Sequence, residues 1–410
     1  LNQEFKLYFT LADDHIFSFE AQHLDQEENP FSRAIRDRNP FTRLIPFSSS
    51  VNKYDVTQER LVQTAKLEAK LDYYYLLNDT SNINLSLGVT DVKQDFDSSF
   101  FQILDNGSLL NFNDPTFNND VNFDFSDAYI ALNYRLRTGI FTIDPGLTLH
   151  YYKTKNTQLG TSFDRNISDV RPNLRINLQF KKSESLRLTY RKNTQFTDIN
   201  NLAEGFVFNN YNSIFQGNRE LEAAVVNNYN LNYRSINQFT FTNIFANANY
   251  SKRSNSIQSR ANINGIDAIR TSTNSNFPRE TYSLSGRIDK RFKNFKLNFS
   301  TRFNFSDFTN EVNNQIRNSK SLNQNYSASI ETNFRDKPNF EIGYKYNIND
   351  YNNGGIENQF ITESPFARID AYFGKGFVFT TEYSYNHYRN QDQTLNKFRF
   401  MDADLTYNKD

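Results

Sequence analysis

The feature that most constrains this chain is a strict alternation of apolar and polar residues, repeated in about seventeen short segments. The clearest segment runs from residue 296 to residue 305. Its apolar face carries Leu297, Phe299, Thr301, Phe303 and Phe305, and its polar face carries Lys296, Asn298, Ser300, Arg302 and Asn304. Successive side chains of a β-strand point to opposite faces, so each segment predicts a strand with one apolar and one hydrated face.

The connections between these segments alternate in length, with turns of about two to five residues followed by loops of about 14 to 35 residues. This alternation is typical of antiparallel β-barrels of the bacterial outer membrane, in which the short turns are periplasmic and the long loops are extracellular. We therefore predict a transmembrane antiparallel β-barrel with eight extracellular loops. The predicted loops are residues 24–57, 101–122, 157–170, 197–224, 253–280, 309–323, 352–363 and 390–395.

The composition fits such a barrel better than a soluble domain. Hydrophobic residues make up 37% of the 410 residues and the mean hydropathy is −0.73, which is low for a globular core of this size. A barrel needs an apolar side chain only at every second position of a spanning strand, and its interior is polar. No run of about 18 apolar residues predicts a membrane helix. Composition alone would also permit a secreted β-solenoid or a partly disordered adhesin.

Charge and cysteine content exclude several classes of function. Lys plus Arg and Asp plus Glu number 46 each, so the net charge is zero, which argues against a nucleic-acid-binding surface. The chain has no cysteine, which excludes disulfide bonds, thiolate metal sites and cysteine nucleophiles.

No combination of residues predicts catalysis, a cofactor or a metal centre. The four histidines, His15, His23, His150 and His387, lack partners at the spacing of metal ligands, and no nucleophile elbow or phosphate-binding loop occurs. We therefore expect no enzyme activity, no cofactor and no metal site, and we expect structural roles for the histidines.

The odd number of predicted strands bears on the domain organisation. Bacterial barrels close with an even number of strands, and an open edge would expose unpaired backbone groups to lipid at a cost of several kcal/mol each. We therefore expect residues 1–410 to be one incomplete barrel domain, with its last strands outside this chain.

One segment resembles a signature of the TonB-dependent receptor barrels of Bacteroidota. It runs from Ser185 to Gln195, continues as Ile199 to Leu202, and ends with Gly217, Asn218 and Leu221. The family pattern reads TQ-x-P-S-x-x-Q-L followed by G-N-P-x-L-x-P-E.

Four positions depart from that pattern. Thr197, Arg219 and Ala223 stand in place of the three prolines, and Ala224 stands in place of the glutamate. The resemblance implies a 22-stranded barrel with an N-terminal plug domain inside it, driven by an energy-coupling complex of the inner membrane. The plug would lie outside this chain, and the seventeen strands seen here would be roughly the fourth to the twentieth.

Basic residues recur on the predicted lumen face. These are Arg135, Arg175, Arg187, Arg191 and Arg302. They could attract anions or hold a plug, or they could form salt bridges within a hydrated wall, because the interiors of large barrels are normally polar.

Aromatic residues are concentrated in one predicted loop. They are Phe206, Phe208, Tyr211 and Phe215. They could contact a ligand or a partner protein, or they could pack one loop against another, and the sequence favours neither interpretation.

Two functions are consistent with these features. The first is energised uptake of a nutrient too large for porins, such as an oligosaccharide, a peptide or a metal chelate. The second is a structural barrel subunit that scaffolds a larger outer-membrane complex, which the missing prolines favour. The expected partners are outer-membrane lipid and lipopolysaccharide, with a periplasmic energy-coupling protein, other outer-membrane subunits or a surface lipoprotein, and no nucleic acid.

Overall fold

The computed structural model describes residues 1–39, 41, 44–210, 212–264, 267–335, 337–373, 376–391 and 393–407. In this part of the chain, 23 strands join in one sheet, and the one helix is α1 (Ile199–Leu202). The all-β fold class predicted from the alternation is therefore confirmed.

Seventeen of the strands form a continuous antiparallel series of neighbours, which confirms the predicted number of barrel strands. They are β1 (Asn2–Ala12), β2 (His15–Glu28), β4 (Tyr54–Asn78), β5 (Ser81–Ile103), β7 (Asn119–Thr138), β8 (Phe141–Gln158), β9 (Thr161–Lys181), β10 (Glu184–Gln195), β13 (Ala224–Asn237), β14 (Thr242–Ser254), β17 (Arg279–Phe292), β18 (Phe295–Val312), β19 (Gln315–Thr332), β20 (Asn339–Asn353), β21 (Ile356–Phe373), β22 (Phe377–Asn390) and β23 (Gln393–Tyr407).

Six shorter strands lie within the long connections of this series. They are β3 (Phe31–Arg36), β6 (Leu109–Asn111), β11 (Phe206–Asn210), β12 (Ser213–Gln216), β15 (Ile257–Asn264) and β16 (Asp267–Asn274). Two of their pairings are parallel, β12 with β16 and β15 with β18, so the loops are tied to one another and to the main sheet.

Four of the predicted loops are wrong as loops, because the strands continue through them, and one of these is residues 390–395, where β22 pairs directly with β23. The other three, residues 157–170, 309–323 and 352–363, form the tips of long hairpins, with tight turns at residues 159–160, 313–314 and 354–355. We call this end of the sheet the loop end and the opposite end the turn end. Outside a bilayer neither face of a strand must be apolar, so the alternation fades although the backbone hydrogen bonds persist.

The two faces of the sheet differ as predicted. On β18, Leu297 and Phe299 lie on one face and are 42% and 47% exposed, and Lys296 and Asn298 lie on the other. Large exposed apolar side chains of this kind recur across the series, for example Leu132 on β7 and Leu284 on β17. An apolar face left uncovered by protein is the surface that a membrane solvates.

Candidate functional site

All five predicted basic residues lie on the polar face of the sheet and are exposed on it. Arg135 forms a 2.7 Å ion pair with Asp144, whose register partner on β9 is Arg175. Arg187 and Arg302 lie in another row of register partners, on β10 to β20, described below.

A basic surface lies on the polar face between β10 and β20. We call it the basic arc; its residues are Arg187, Arg234, Arg287, Arg302 and Lys345. They line a cavity of about 870 Å³, and no acidic side chain is among the described residues that line it. Arg287 forms a 2.9 Å ion pair with Asp289, which lies two residues further along the strand. The other four cations have no carboxylate within 4.0 Å among the described residues.

On the polar face of β4 to β9 several cations are paired with carboxylates. Lys70 contacts Asp72 at 2.7 Å, and Arg171 contacts Asp169 at 2.9 Å. Here the interpretation as a hydrated wall of salt bridges describes the contacts well. Arg137 and Arg175 on the same strands have no carboxylate within 4.0 Å in the described chain, so what distinguishes the basic arc is that four such cations line one cavity without an acidic side chain.

The long connections fold together at the loop end into what we call the loop core. It consists of two clusters of buried apolar side chains. The first contains Phe41, Ile45, Phe47, Val56, Phe100, Phe112, Phe117, Phe206, Phe208 and Ile214, and the second contains Phe96, Val121, Phe123, Ile199, Leu202, Ala203, Val207 and Leu221.

The loop core packs on the same face of the sheet that is polar further down. On β5 this face carries Ser86 near the turn end, and it carries Phe96 and Phe100 near the loop end. Phe96 and Phe100 are 0% and 1% exposed because the folded connections cover them. The strands are thus apolar on one face at mid-height and on the opposite face beneath the loop core.

Side-chain amides of the strands hold the backbone of the loop core. Gln58 donates to the carbonyl of Phe206 at 2.7 Å and accepts from the main-chain N–H of Phe208 at 2.7 Å. Gln158 donates to the carbonyl of Leu202 and accepts from the N–H of Glu204, both at 2.9 Å. A Gln amide offers a donor and an acceptor side by side, so it can satisfy two backbone groups that no neighbouring strand reaches.

The signature segment of the sequence is part of this structure. Gly217 donates its N–H to the carbonyl of Ala203 at 2.7 Å, and Asn218 donates its N–H to the carbonyl of Asn201 at 2.8 Å. Leu202 and Leu221 are buried in the same cluster. The spacing on which the resemblance rests is thus explained here by the closing of one loop.

Arg219, which replaces a proline of the signature, also has a structural role. Its guanidinium contacts Glu204 at 2.5 Å and donates to the hydroxyl of Thr161 at 2.7 Å. These contacts tie the signature loop to the β8–β9 hairpin.

The predicted loop aromatics are found in or beside the loop core. Phe206 and Phe208 are 6% and 2% exposed, and Phe215 packs against the second cluster. Tyr211 lies outside the described residues. In this conformation Phe206 and Phe208 pack one loop against another, and a contact with a ligand or a partner stays a prediction.

Two groups outside the main strands have shifted pKa values. Hydrogen bonds from the main chain and the hydroxyl of Thr116, at 2.9 and 2.8 Å, lower the pKa of Asp114. The hydrogen bond from Arg33 to Asp55, at 2.8 Å, raises the pKa of Arg33. Both interactions fix loop geometry and neither indicates catalysis.

Comparison with known proteins identifies the class of this sheet. The model of a family described as "Outer membrane protein beta-barrel family" matches residues 10–378. The chain belongs to this family. It is an outer-membrane β-barrel protein, so the predicted localisation is confirmed, and its uncovered apolar face contacts membrane lipid.

Solved structures of transporter barrels resemble this barrel in fold. The ferric citrate transporter FecA in the unliganded form has a TM-score of 0.56 at 10% identity over 98% of this chain and 60% of its own. The ferric-catecholate import receptor Fiu from K12 E. coli has a TM-score of 0.53 at 9% identity over 99% and 64%, respectively. The copper transporter OprC has a TM-score of 0.52 at 10% identity over 100% and 69%. No curated protein sequence matches this chain.

The lipid-facing surface of this outer-membrane barrel carries a row of stacked aromatic rings. Tyr190, Tyr229, Tyr250 and Tyr282 are successive register partners on four strands, and their ring centroids lie 4.8, 5.8 and 4.6 Å apart. Amphipathic rings favour the boundary between hydrocarbon and water, so this row marks an interface of the membrane.

Three of the four histidines have polar protein partners. His150 contacts Asp127 at 2.9 Å, His387 contacts Glu363 at 3.1 Å, and His15 contacts the hydroxyl of Tyr73 at 2.7 Å. Within the described ranges no three His, Asp or Glu side chains are grouped as metal ligands would be. No described helix has the length and hydropathy to cross a membrane.

Proposed function

We propose that this chain forms most of the barrel of a TonB-dependent receptor-like protein that takes up a large nutrient across the outer membrane. The main support is the polar face between β10 and β20, which offers a hydrated wall lined by cations and neutral polar side chains. The fold similarity to transporter barrels and the signature at residues 185–221 support the same assignment, including a Bacteroidota-type receptor.

We also propose that further strands complete this barrel and that a plug fills it. Among the described residues β1 pairs only with β2, and β23 pairs only with β22, so each has one free edge. Backbone groups on a free edge have no partner in lipid, which costs several kcal/mol per group. Covering both edges is therefore a condition for a stable barrel in the membrane.

An uptake assay tests the proposed function. A strain that lacks this protein should lose uptake of one class of large nutrient, and the wild-type gene should restore it. A protonophore should abolish the restored uptake, because transport of this kind is energised from the inner membrane. Unchanged uptake in the deletion strain, or uptake that survives the protonophore, would contradict the proposal.

A scaffolding role is the second candidate, and exposed side chains at the loop end favour it. Leu159, Ile316 and Ile356 lie at the tips of three hairpins and are 53%, 63% and 63% exposed. Aliphatic side chains held at extracellular tips are suited to contact another protein. Stoichiometric co-purification with other outer-membrane subunits in mild detergent, combined with unchanged nutrient uptake in the deletion strain, would favour this role.

A further inference from the structure

We propose that the basic arc binds an extended anionic oligosaccharide, one whose sugar units carry carboxylate or sulfate groups. This inference rests on the proposed uptake function and names its substrate class. Three observations support it: the register of the strands, the cations of the arc that have no carboxylate partner, and the neutral polar residues around the arc.

The residues of the arc lie in two neighbouring rows of register partners. The first row runs through Arg187, Asn232, Asn247, Ser285, Arg302, Asn325 and Asn347. The second row contains Arg234, Phe245, Arg287, Ser300, Ser327 and Lys345. Since register partners share a face, all five cations point into the same cavity.

The spacing of the cations selects for a long ligand. The arc crosses from β10 to β20, which is six inter-strand steps and therefore roughly 29 Å. A single phosphate or sulfate ion reaches only the cations within about 4 Å of it, so it would engage a small part of the arc. A chain with repeated negative charges could engage Arg187, Arg302 and Lys345 together.

The neutral residues favour a hydroxyl-rich ligand. Next to the first row lies a third, made of Thr189, Asn230, Asn249, Ser283, Asn304, Asn323 and Asn349. Amide and hydroxyl side chains can donate and accept, as sugar hydroxyls do. Phe245 stands between Arg234 and Arg287 in register and is 38% exposed, so it offers an apolar surface to a sugar ring.

The size of the cavity is compatible with such a ligand. Its volume of about 870 Å³ lies within the usual range of ligand sites, roughly 300 to 1,000 Å³. Only Arg287 among the five cations has a carboxylate partner within 4.0 Å in the described chain, so anion binding need not break an existing network.

Calorimetry on the full-length chain in detergent micelles tests the proposal. The probe is hexagalacturonate, with maltohexaose, hexaglutamate and inorganic phosphate as comparison ligands. We expect hexagalacturonate to bind most tightly, with an affinity that falls as salt is added, because its carboxylates meet solvent-exposed cations. The R187Q/R302Q variant should bind it roughly tenfold or more weakly, since Gln keeps hydrogen bonds and loses charge.

Matched variants show whether a loss of binding comes from the substituted residue or from a folding defect. Arg368→Gln removes a cation that lies on the polar face but is paired with Asp370 at 3.0 Å, and it should leave binding unchanged. Phe245→Leu should weaken hexagalacturonate and leave phosphate binding unaltered. Heat-modifiable mobility on gels verifies that each variant is folded.

Each contrary outcome overturns a different part of the proposal. Equal binding of maltohexaose would refute the role of charge, and tighter binding of hexaglutamate would indicate an acidic polypeptide instead. Equal binding of inorganic phosphate would indicate a site for a single ion, and absence of binding by every probe would refute the site. Binding in a chain whose deletion does not affect uptake would refute the uptake function alone, and confirmed uptake without binding would refute the oligosaccharide site alone.

Discussion

A Cβ atom on Gly217 would lie 2.4 Å from the carbonyl oxygen of Ala203, which is closer than any real Cβ contact. The main-chain N–H of Gly217 donates to this same carbonyl and so closes the signature loop. The two backbone segments must therefore approach closely, which leaves no room for a side chain at residue 217. The glycine of the signature, Gly217, is therefore explained by the close packing of backbone segments in the loop core.

Gly217→Ala should loosen the loop core, because the added methyl group also meets the carbonyl of Asn201 at 2.6 Å. We expect a loss of roughly 1 to 3 kcal/mol in local stability. Limited proteolysis of residues 199–221 in the folded barrel measures it. Gly286→Ala is the control, since its nearest new contact is 3.9 Å away, and equal protease resistance of both variants would contradict the explanation.

Gln58→Leu should free the β11 strand from the sheet. Leucine has a similar size but satisfies neither the carbonyl of Phe206 nor the N–H of Phe208, and an unmet buried polar group costs about 1 to 3 kcal/mol. Hydrogen exchange at residues 206–208 should accelerate. Gln63→Leu, at an exposed position that donates to Glu27 at 3.1 Å, should leave that exchange as in the wild type.

Gly343→Ala should destabilise the barrel through its cross-strand partner. A Cβ at this position would lie 2.3 Å from Cζ of Phe366, whose ring covers the glycine and lies beneath Lys345. Adding Phe366→Ala should recover part of the loss, because the ring that clashes is then absent. Urea unfolding of the wild type, both single variants and the double variant gives the coupling free energy between the two positions. If the two substitutions had additive effects on the free energy of unfolding, this contact would be excluded as the cause.

Much of the barrel could be predicted from sequence because lipid enforces alternation. On β18 the residues from Lys296 to Phe305 have the predicted faces, since one side chain in two must be apolar across the bilayer. The number of main strands followed from the same rule. Alternation does not predict the structure of the long connections at the loop end, because lipid no longer constrains the side chains there.

The β9 strand shows why sequence reasoning missed the loop core. Phe163 and Ile167 are apolar at odd positions, whereas Leu174 and Ile176 further down are apolar at even positions, so the pattern changes phase and resembles a loop. The buried amides Gln58 and Gln158 carried no signal at all, because their importance depends on connections distant in sequence.

The sequence predicted only part of the basic arc. Arg187 and Arg302 were predicted to face the lumen, but their membership of one register row depends on three intervening strands. Arg234 and Lys345 were missed because alternation shows which face a cation occupies and does not show its height on the wall.

The most direct test of the whole account asks which face of one strand meets lipid. The chain has no cysteine, so Leu284→Cys and Ser285→Cys on β17 can each carry a single fluorophore. In proteoliposomes we predict that spin-labelled lipid quenches the label at 284 and that aqueous iodide quenches the label at 285. Quenching of both labels by the same agent, or the reverse pattern, would contradict the assignment of the apolar face to lipid and of the polar face to the lumen.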